Sequence, residues 1–214
     1  YKVRQVMPEA DDVWTLELEP PEGQEVFDYI PGQFHFITLH RDRDLPEEEH
    51  HFTISSSPSQ KGLVVSTIKA VGDFTSTIDQ TRPGDTANVQ GAFGRFSYAI
   101  HPDQRNLVFI AGGIGITPIM SMLRCMRDRQ EDYRVLLLYA NKTESSIVFR
   151  QEIEHIEAGE YPQLKVVHVL SRASKEWTGE KGHIDREMLE RYVGSDLGGR
   201  TFYVCGPEAM REAV

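Results

Sequence analysis

The segment LVFIAGGIGITPIMSML, residues 107–123, constrains the fold of this chain more than any other. A continuous apolar run ends at Ala111, and Thr117 and Pro118 are predicted to cap and to open the helix that follows. The turn between them has no Cβ atoms at Gly112, Gly113 and Gly115. The free amides of such a helix face the carboxyl edge of the strand and favour a phosphate there. On the turn alone, a phosphate site and a tight turn without a ligand are equally supported, because the spacing is not GxGxxG.

After about residue 104 the chain alternates strands with helices. The strands are apolar on both faces, which is typical of a parallel sheet covered by helices on both sides. The predicted strands are LVFIA (107–111), RVLLLYA (134–140), LKVVHVL (164–170) and TFYVC (201–205). The predicted helices are TPIMSMLRCMRD (117–128), SSIVFRQEIEHI (145–156), DREMLERYV (185–193) and the start of a last one at PEAMREAV (207–214).

Before about residue 100 the chain has short strand-like runs between turns that contain Gly and Pro. In VWTLELE, residues 13–19, apolar and polar residues alternate, as in a strand with one buried face. Several such runs at this spacing predict an antiparallel barrel or sandwich, with a short helix after Gly72. We expect two domains, a β-barrel over 1–102 and an α/β domain over 103–214 that is truncated at its C-terminal end.

Composition excludes several classes of function. The net charge of −10 argues against a protein that binds nucleic acid, which needs a basic face. Two cysteines cannot form a disulfide framework, a zinc ribbon or a four-cysteine iron–sulfur site, so no disulfide partner is expected. The chain begins inside a predicted strand, ends inside a predicted helix and shows no signal peptide or membrane-crossing run, so we expect a soluble piece of a longer protein.

Two further turns of the α/β half could bind a ligand. In FYVCGPEAM, Cys205 and Gly206 follow a strand, and a parallel sheet puts them on the same edge as the first glycine turn. A merely buried thiol is the alternative. Ser171 and Arg172 leave the same edge, where a hydroxyl beside a guanidinium suits a phosphomonoester. An exposed loop arginine is nearly as well supported.

The first half holds two patterns of its own. In AVGDFTSTI, Gly72 precedes Asp73, Phe74 and Thr75 where a helix begins, which makes a second candidate anion site, although Asp73 could be an ordinary N-cap. The strand HHFTISSSP, residues 50–58, joins two histidines, an aromatic ring and a run of hydroxyls. A metal site is disfavoured, because no carboxylate spacing supports the four candidate ligands His35, His40, His50 and His51. A serine hydrolase is disfavoured by the lack of a GxSxG elbow.

Six motifs in order, HHFTISS, IKAVGDFTSTI, VQGAFGRF, AGGIGITPIMSML, LSR…W.G..G and CGP, resemble the ferredoxin–NADP reductase superfamily. The resemblance covers essentially the whole chain. His-x-Phe-Thr is most similar to the ferric reductase and NADPH oxidase branch, whose flavoprotein domains usually follow a haem-bearing membrane domain. The resemblance therefore implies a cytoplasmic domain, which could be the cytoplasmic part of a membrane protein.

The resemblance also implies roles for the first half, with FAD as the flavin. Phe52 would stack on the isoalloxazine, Thr53 would bond near the hydride-accepting nitrogen as a catalytic residue, and His50 would replace the family's phosphate-binding arginine. An imidazole is mostly uncharged at neutral pH, so other groups would support the phosphate. These are Ile68, Lys69, Gly72, Asp73, Phe74 and Thr75.

For the second half, the resemblance implies that Gly112, Gly113, Gly115 and Thr117 bind a nicotinamide dinucleotide. Cys205, with Gly206, would lie against the nicotinamide carbon that gives up hydride. Ser171 and Arg172 resemble a pair that holds a 2′-phosphate, which favours NADPH over NADH. The implied reaction passes hydride from NAD(P)H to FAD and then single electrons to a haem domain, a carrier protein or a ferric chelate. The alternative is a non-catalytic flavin-binding electron-transfer or regulatory subunit.

Overall fold

The computed structural model describes residues 1–194 and 197–214. Its first sheet is antiparallel and has six strands, β1 (Lys2–Ala10), β2 (Val13–Glu19), β3 (Phe34–His40), β4 (Glu49–Thr53), β5 (Val64–Lys69) and β6 (Thr86–Phe93). The strand order is β4-β3-β6-β1-β2-β5. A bridge between Ile54 and Ser66 joins the two ends of this order, so the sheet closes into a barrel directly after β4.

The barrel core follows from the two-residue period of its strands. In β3, the alternate residues His35, Ile37 and Leu39 are buried. Ile37 and Leu39 pack with apolar residues of β2 and β5, such as Leu16 and Val64, in one cluster. This alternation is the pattern expected of a strand with one buried face, and the predicted barrel is confirmed.

The second sheet is parallel and has five strands, β7 (Asn106–Gly112), β8 (Arg134–Asn141), β9 (Leu164–Leu170), β10 (Glu180–Lys181) and β11 (Thr201–Cys205), in the order β10-β9-β8-β7-β11. Helices α1 (Ile116–Arg129) and α2 (Arg150–His155) pack on one face, and α3 (Arg186–Val193) and α4 (Glu208–Ala213) on the other. The predicted α/β arrangement is confirmed. The short strand β10 was not predicted.

The predicted cap of α1 is wrong. Residues 113–115 form a 3-10 turn that continues directly into α1, so Gly115 is the N-cap and no side chain caps the helix. Thr117 therefore lies inside the first turn and donates its hydroxyl to the Ile114 carbonyl oxygen at 3.0 Å. Pro118 stays within the first turn, where a missing N–H costs nothing.

The predicted helix over 145–156 is also wrong in its first half. Ile147, Val148 and Phe149 are all buried, and the helix begins only at Arg150. The segment before it is a short 3-10 turn over Glu144–Ser146.

The predicted domain boundary between residues 102 and 103 lies in the connection from β6 to β7 and stays a prediction. Across the two described ranges, we find no helix whose length and apolar character would let it cross a bilayer.

Candidate functional site

Strand β4 places His50 and Phe52 on the inner face of the barrel sheet. They stand opposite Ile37 and His35 of β3, both of which are buried. The His50 ring stacks on Phe74, with centroids 4.3 Å apart, and lies 6.1 Å from the ring of Phe52. Phe74 is buried in the barrel core. His50 and Phe52 are only half-buried, so their rings are the exposed part of this stack.

Thr53 lies on the opposite face of β4, across from Phe34 of β3. His51 shares that outer face and contacts Phe34 and Phe36, with ring centroids 5.9 and 6.2 Å apart. Packing of the sheet surface therefore accounts for His51, for which the sequence suggested no role. Because β4 ends the strand order, a ligand at its open edge can reach Phe52 on one face and Thr53 on the other.

His50 has an acidic partner that the sequence did not suggest. Its Nε2 atom lies 3.1 Å from a carboxylate oxygen of Glu48. A phosphate that reached this nitrogen would have to displace the carboxylate. The phosphate contact predicted for His50 therefore depends more heavily on neighbouring backbone amides and on Lys69, whose side chain is exposed.

The loop after β5 offers two converging amides. The backbone N–H groups of Val71 and Gly72 both donate to the Thr75 hydroxyl oxygen, each at 2.9 Å. Two donors aimed at one oxygen are the arrangement that accepts an anion. Asp73 is exposed and does not cap the following 3-10 helix, so that alternative is wrong. Ile68 and Phe74 have buried side chains, which leaves only their backbone atoms for a cofactor.

The glycine turn after β7 packs directly against the end of β11. The two strands are neighbours, with Cys205 paired to Ala111. A Cβ atom on Gly115 would overlap the Cys205 carbonyl group, and one on Gly206 would lie 2.9 Å from the Gly112 nitrogen. The two turns that the sequence assigned to one edge are therefore in contact, and they fit only if both lack side chains.

Cys205 is half-buried at this edge. Burial raises the pKa of its thiol, and the nearby Arg211 lowers it to a smaller extent. The thiol is therefore protonated at neutral pH, so Cys205 offers a polarisable neutral group and not a nucleophilic thiolate.

Ser171 and Arg172 lie further along the same edge. Their backbone N–H groups donate to the carbonyl oxygens of Asn141 and Lys142, at 3.0 and 2.8 Å. These bonds hold the start of the loop beside the end of β8. The Arg172 side chain is exposed and can approach a ligand at this edge.

Helix α1 ties the two sheets together through the end of the HHFTISS segment. The Ser121 hydroxyl donates to the Ser56 carbonyl oxygen, and Arg124 Nη1 to the Ser55 carbonyl oxygen, both at 2.6 Å. β5 also contacts the turn at 113–115. No sequence pattern pointed to Ser121 and Arg124, although their i, i+3 spacing puts them on one helix face.

The four histidines of the metal hypothesis lie in different environments. His35 is buried and bonds the Ser66 hydroxyl at 2.6 Å, whereas His40 bonds Glu47 at 2.9 Å. His50 and His51 occupy opposite faces of β4. Among the described residues, no group of three or more metal-ligating side chains converges.

Comparison with known families agrees with this geometry. A family model described as an oxidoreductase FAD-binding domain matches residues 2–98, and one described as an oxidoreductase NAD-binding domain matches residues 109–214. The chain belongs to the oxidoreductases built from these two domains. The predicted membership of the ferredoxin–NADP reductase-like flavoproteins, and the FAD and NAD(P) cofactors, are thereby confirmed, whereas its ferric reductase branch is not specifically supported.

Curated proteins similar to this oxidoreductase differ in the acceptor that they name. Nitrate reductase (NADPH) of Emericella nidulans is 33% identical and aligns with 76% of this chain and 21% of its own length. Plasma membrane-associated coenzyme Q6 reductase PGA3 of Saccharomyces cerevisiae is 30% identical over 82% of this chain and 57% of its own length. NADH-cytochrome b5 reductase 1 of Mortierella alpina is 31% identical over 76% of this chain and 55% of its own length. The chain thus spans less than two thirds of these relatives.

Solved structures share the fold of this oxidoreductase over nearly its whole length. The cytochrome b5 reductase domain of Ulva prolifera nitrate reductase has a TM-score of 0.84 at 22% identity, covering 99% of this chain and 87% of that one. The CS-b5R domains of human Ncb5or in the NAD+ form have a TM-score of 0.83 at 25% identity, covering 99% of this chain and 62% of that one.

Proposed function

We propose that this chain transfers hydride from NADPH, in preference to NADH, to FAD, and then passes single electrons to an external acceptor. The observation that carries the proposal is the contact between β5 and the turn at 113–115, because β5 leads into the loop whose Val71 and Gly72 amides converge on one oxygen atom. The flavin supplies the change from two-electron to one-electron chemistry. The protein supplies stacking, orientation and electrostatic support.

The FAD side is formed by β4 and the loop after β5. Phe52 provides a ring face for stacking, and Thr53 a hydroxyl at the strand edge. The amides of Val71 and Gly72 already converge on an oxygen atom, so a phosphate oxygen can replace the Thr75 hydroxyl there. Lys69 adds a positive charge beside this loop.

The dinucleotide side is formed by the first turn of α1 and the end of β11. The amides of the turn at 113–115, which no side chain caps, and the positive end of α1 favour the pyrophosphate. Gly112, Gly115 and Gly206 allow the two turns to pack against each other at this edge. Cys205 stands at the edge as a neutral thiol against the nicotinamide, and Ser171 with Arg172 would take the 2′-phosphate.

The proposed electron acceptor is a haem-bearing domain. The relatives' names include nitrate, coenzyme Q6 and cytochrome b5 as substrates, so the acceptor varies within the family. The motif His-x-Phe-Thr supports a haem-bearing membrane domain as partner and a cytoplasmic location for this chain.

Anaerobic stopped flow tests the proposal. The purified chain saturated with FAD should lose absorbance at about 450 nm, the usual flavin band, when NADPH is mixed in, and then reduce ferricyanide or cytochrome b5. Bound FAD without reduction by either dinucleotide would favour the non-catalytic subunit instead. Failure to bind FAD would contradict both.

Thr53→Ala should slow flavin reduction by on the order of ten- to a hundredfold, because a hydroxyl positioned at the reactive edge is lost. FAD affinity should change less than threefold, about 0.6 kcal/mol, since stacking and phosphate contacts are untouched. Stopped flow and fluorescence titration measure the two quantities. Thr38→Ala, at the far end of the same β3–β4 ladder, is the control. Equal rates for the two variants would remove Thr53 from the mechanism.

Arg172→Ala should weaken NADPH binding by about ten- to a hundredfold, because charge-assisted hydrogen bonds to a phosphate contribute about 1.5–3 kcal/mol. NADH binding should change little, since NADH lacks that phosphate. Equilibrium titration of both dinucleotides gives the comparison. Arg186→Ala, on the exposed surface of α3, is the control. Equal losses for NADPH and NADH would end the 2′-phosphate assignment.

A further inference from the structure

Arg41, directly after β3, is a buried cation whose hydrogen-bond partners are all neutral. It is 6% exposed. Its Nη1 atom donates to the Thr77 carbonyl oxygen at 2.9 Å and to Thr81 Oγ1 at 3.3 Å, and its Nη2 atom donates to the Pro46 carbonyl oxygen at 2.9 Å. An arginine is rarely buried unless an acid is paired with it, so this position calls for an explanation.

The charge of Arg41 is not neutralised by an ion pair. Burial lowers the pKa of its guanidinium, and the charge of Asp85 raises it to a smaller extent. The guanidinium nevertheless stays protonated near neutral pH, because its ordinary pKa is 12.5. Asp85 is itself paired with Arg43, and in the part of the chain that the structure describes no carboxylate forms an ion pair with Arg41.

The partners of Arg41 belong to the two segments proposed for the FAD pyrophosphate. Pro46 lies in the segment that leads into β4 and its His50. Thr77 lies in the 3-10 helix that follows the two converging amides of the loop after β5. The guanidinium carbon is also 5.1 Å from the ring centroid of Phe74, the ring on which His50 stacks. The buried charge is therefore close to the groups proposed to hold the phosphates.

The side chains proposed to contact the pyrophosphate bring little positive charge of their own. The imidazole of His50 is mostly uncharged at neutral pH, and its Nε2 atom lies beside the Glu48 carboxylate. Lys69 is exposed, so water and salt screen its charge. A negatively charged pyrophosphate therefore needs a further source of positive potential at this site.

We propose that Arg41 is a positioning residue for FAD, whose buried charge attracts the pyrophosphate to the loop after β5 without touching the cofactor. This inference rests on the proposed function. A charge inside the protein acts over a longer distance than one in water, and salt screens it less. Arg41 thus supplies the positive potential that an imidazole at position 50 does not.

Arg41→Met tests the proposal, because it removes the charge and keeps an unbranched side chain. The dissociation constant of FAD should rise about tenfold, since a buried positive charge near the pyrophosphate is lost. Riboflavin, which lacks the phosphates, should bind the variant as tightly as the wild type. Arg41→Lys keeps a charge at this position and should weaken FAD binding less than about threefold. Fluorescence titration of both flavins measures these constants.

The double variant Arg43→Met/Asp85→Asn is the matched control, because it removes the neighbouring ion pair without changing the net charge. It should bind FAD as tightly as the wild type. Arg41→Gln repeats the test if the methionine variant does not fold. Unchanged FAD affinity in Arg41→Met, an equal loss of riboflavin affinity, or a lysine variant as weak as the methionine variant would overturn the role of the charge. A wild type that binds no FAD would instead overturn the proposed function.

Discussion

Gly115→Ala should abolish detectable flavin reduction by NADPH and lower the free energy of unfolding by about 1–3 kcal/mol, the usual cost of overpacking. The new methyl group would overlap the Cys205 carbonyl oxygen and lie 2.6 Å from the carbonyl carbon. These are backbone atoms, so a rotamer change cannot relieve the overlap. Either the turn at 113–115 or the end of β11 must move, and both belong to the dinucleotide site.

Stopped flow and urea unfolding measure the two effects. FAD affinity should stay within twofold of the wild type, because the overlap lies in the α/β half. Gly159→Ala is the control, since a Cβ atom there meets no atom within 4 Å. A Gly115→Ala variant that reduces FAD at the wild-type rate would show that the two turns do not need this close contact.

Arg124→Met should lower the free energy of unfolding by about 3 kcal/mol, the lower end of the range for breaking a buried ion pair, because the pair is partly exposed. Arg124 binds Glu152 through two hydrogen bonds, of 2.8 and 2.6 Å, and its guanidinium also bonds the Ser55 carbonyl oxygen. The change leaves Arg127 as the cation paired with Glu152. It also removes the hydrogen bond that holds Ser55, just after β4, against α1. Flavin reduction should therefore slow as well.

The stability that Arg124→Met loses should depend on pH. Burial raises the pKa of Glu152, but Arg124 and Arg127 lower it more, so it lies below its ordinary value near 4.5. A carboxyl group with a lowered pKa stabilises the folded state above its unfolded pKa, and this contribution is lost as the pH falls through the folded pKa. The difference between wild type and variant should thus be full at pH 7 and shrink below about pH 4.5.

Urea unfolding at several pH values tests this. The double variant Arg124→Met/Glu152→Leu should recover more than half of the loss, because no unpaired charge remains. Arg186→Met removes an exposed ion pair with Glu190 and should cost less than about 0.5 kcal/mol. A single variant as stable as the wild type would contradict the role of Arg124 between the two sheets.

Local sequence patterns were sufficient to predict the architecture, a β-barrel followed by an α/β domain. The strands of the parallel sheet are runs of apolar residues, and β-strand alternation and helix periodicity are properties of short segments. The contact between the turns of β7 and β11 could also be anticipated, because parallel neighbouring strands end on the same edge. The comparisons then confirmed the FAD-binding and NAD-binding oxidoreductase domains that the ordered motifs resemble.

Contacts between distant segments decided where individual side chains lie and where the helices begin. Phe74 was assigned to the cofactor by its place in a motif, but its ring lies in the barrel core under His50, 24 residues away in the chain. Thr117 has the right residue type for a cap, but the 3-10 turn at 113–115 leads directly into α1, so Gly115 is the N-cap. The run at 147–149 continues the apolar pattern of a helix, but its side chains are buried in the core that includes Tyr139 and the chain becomes helical only at Arg150.

The sequence by itself determined which segments become strands and helices and where glycine must stand, because these depend on side-chain size and spacing along a few residues. The tertiary structure alone decided which polar groups find partners. Arg124 meets the carbonyl oxygen of Ser55 across 69 residues, while Arg41 meets that of Thr77 across 36 residues. Hydrogen bonding of a side chain depends on which atoms folding brings within about 3 Å, and no local pattern encodes that.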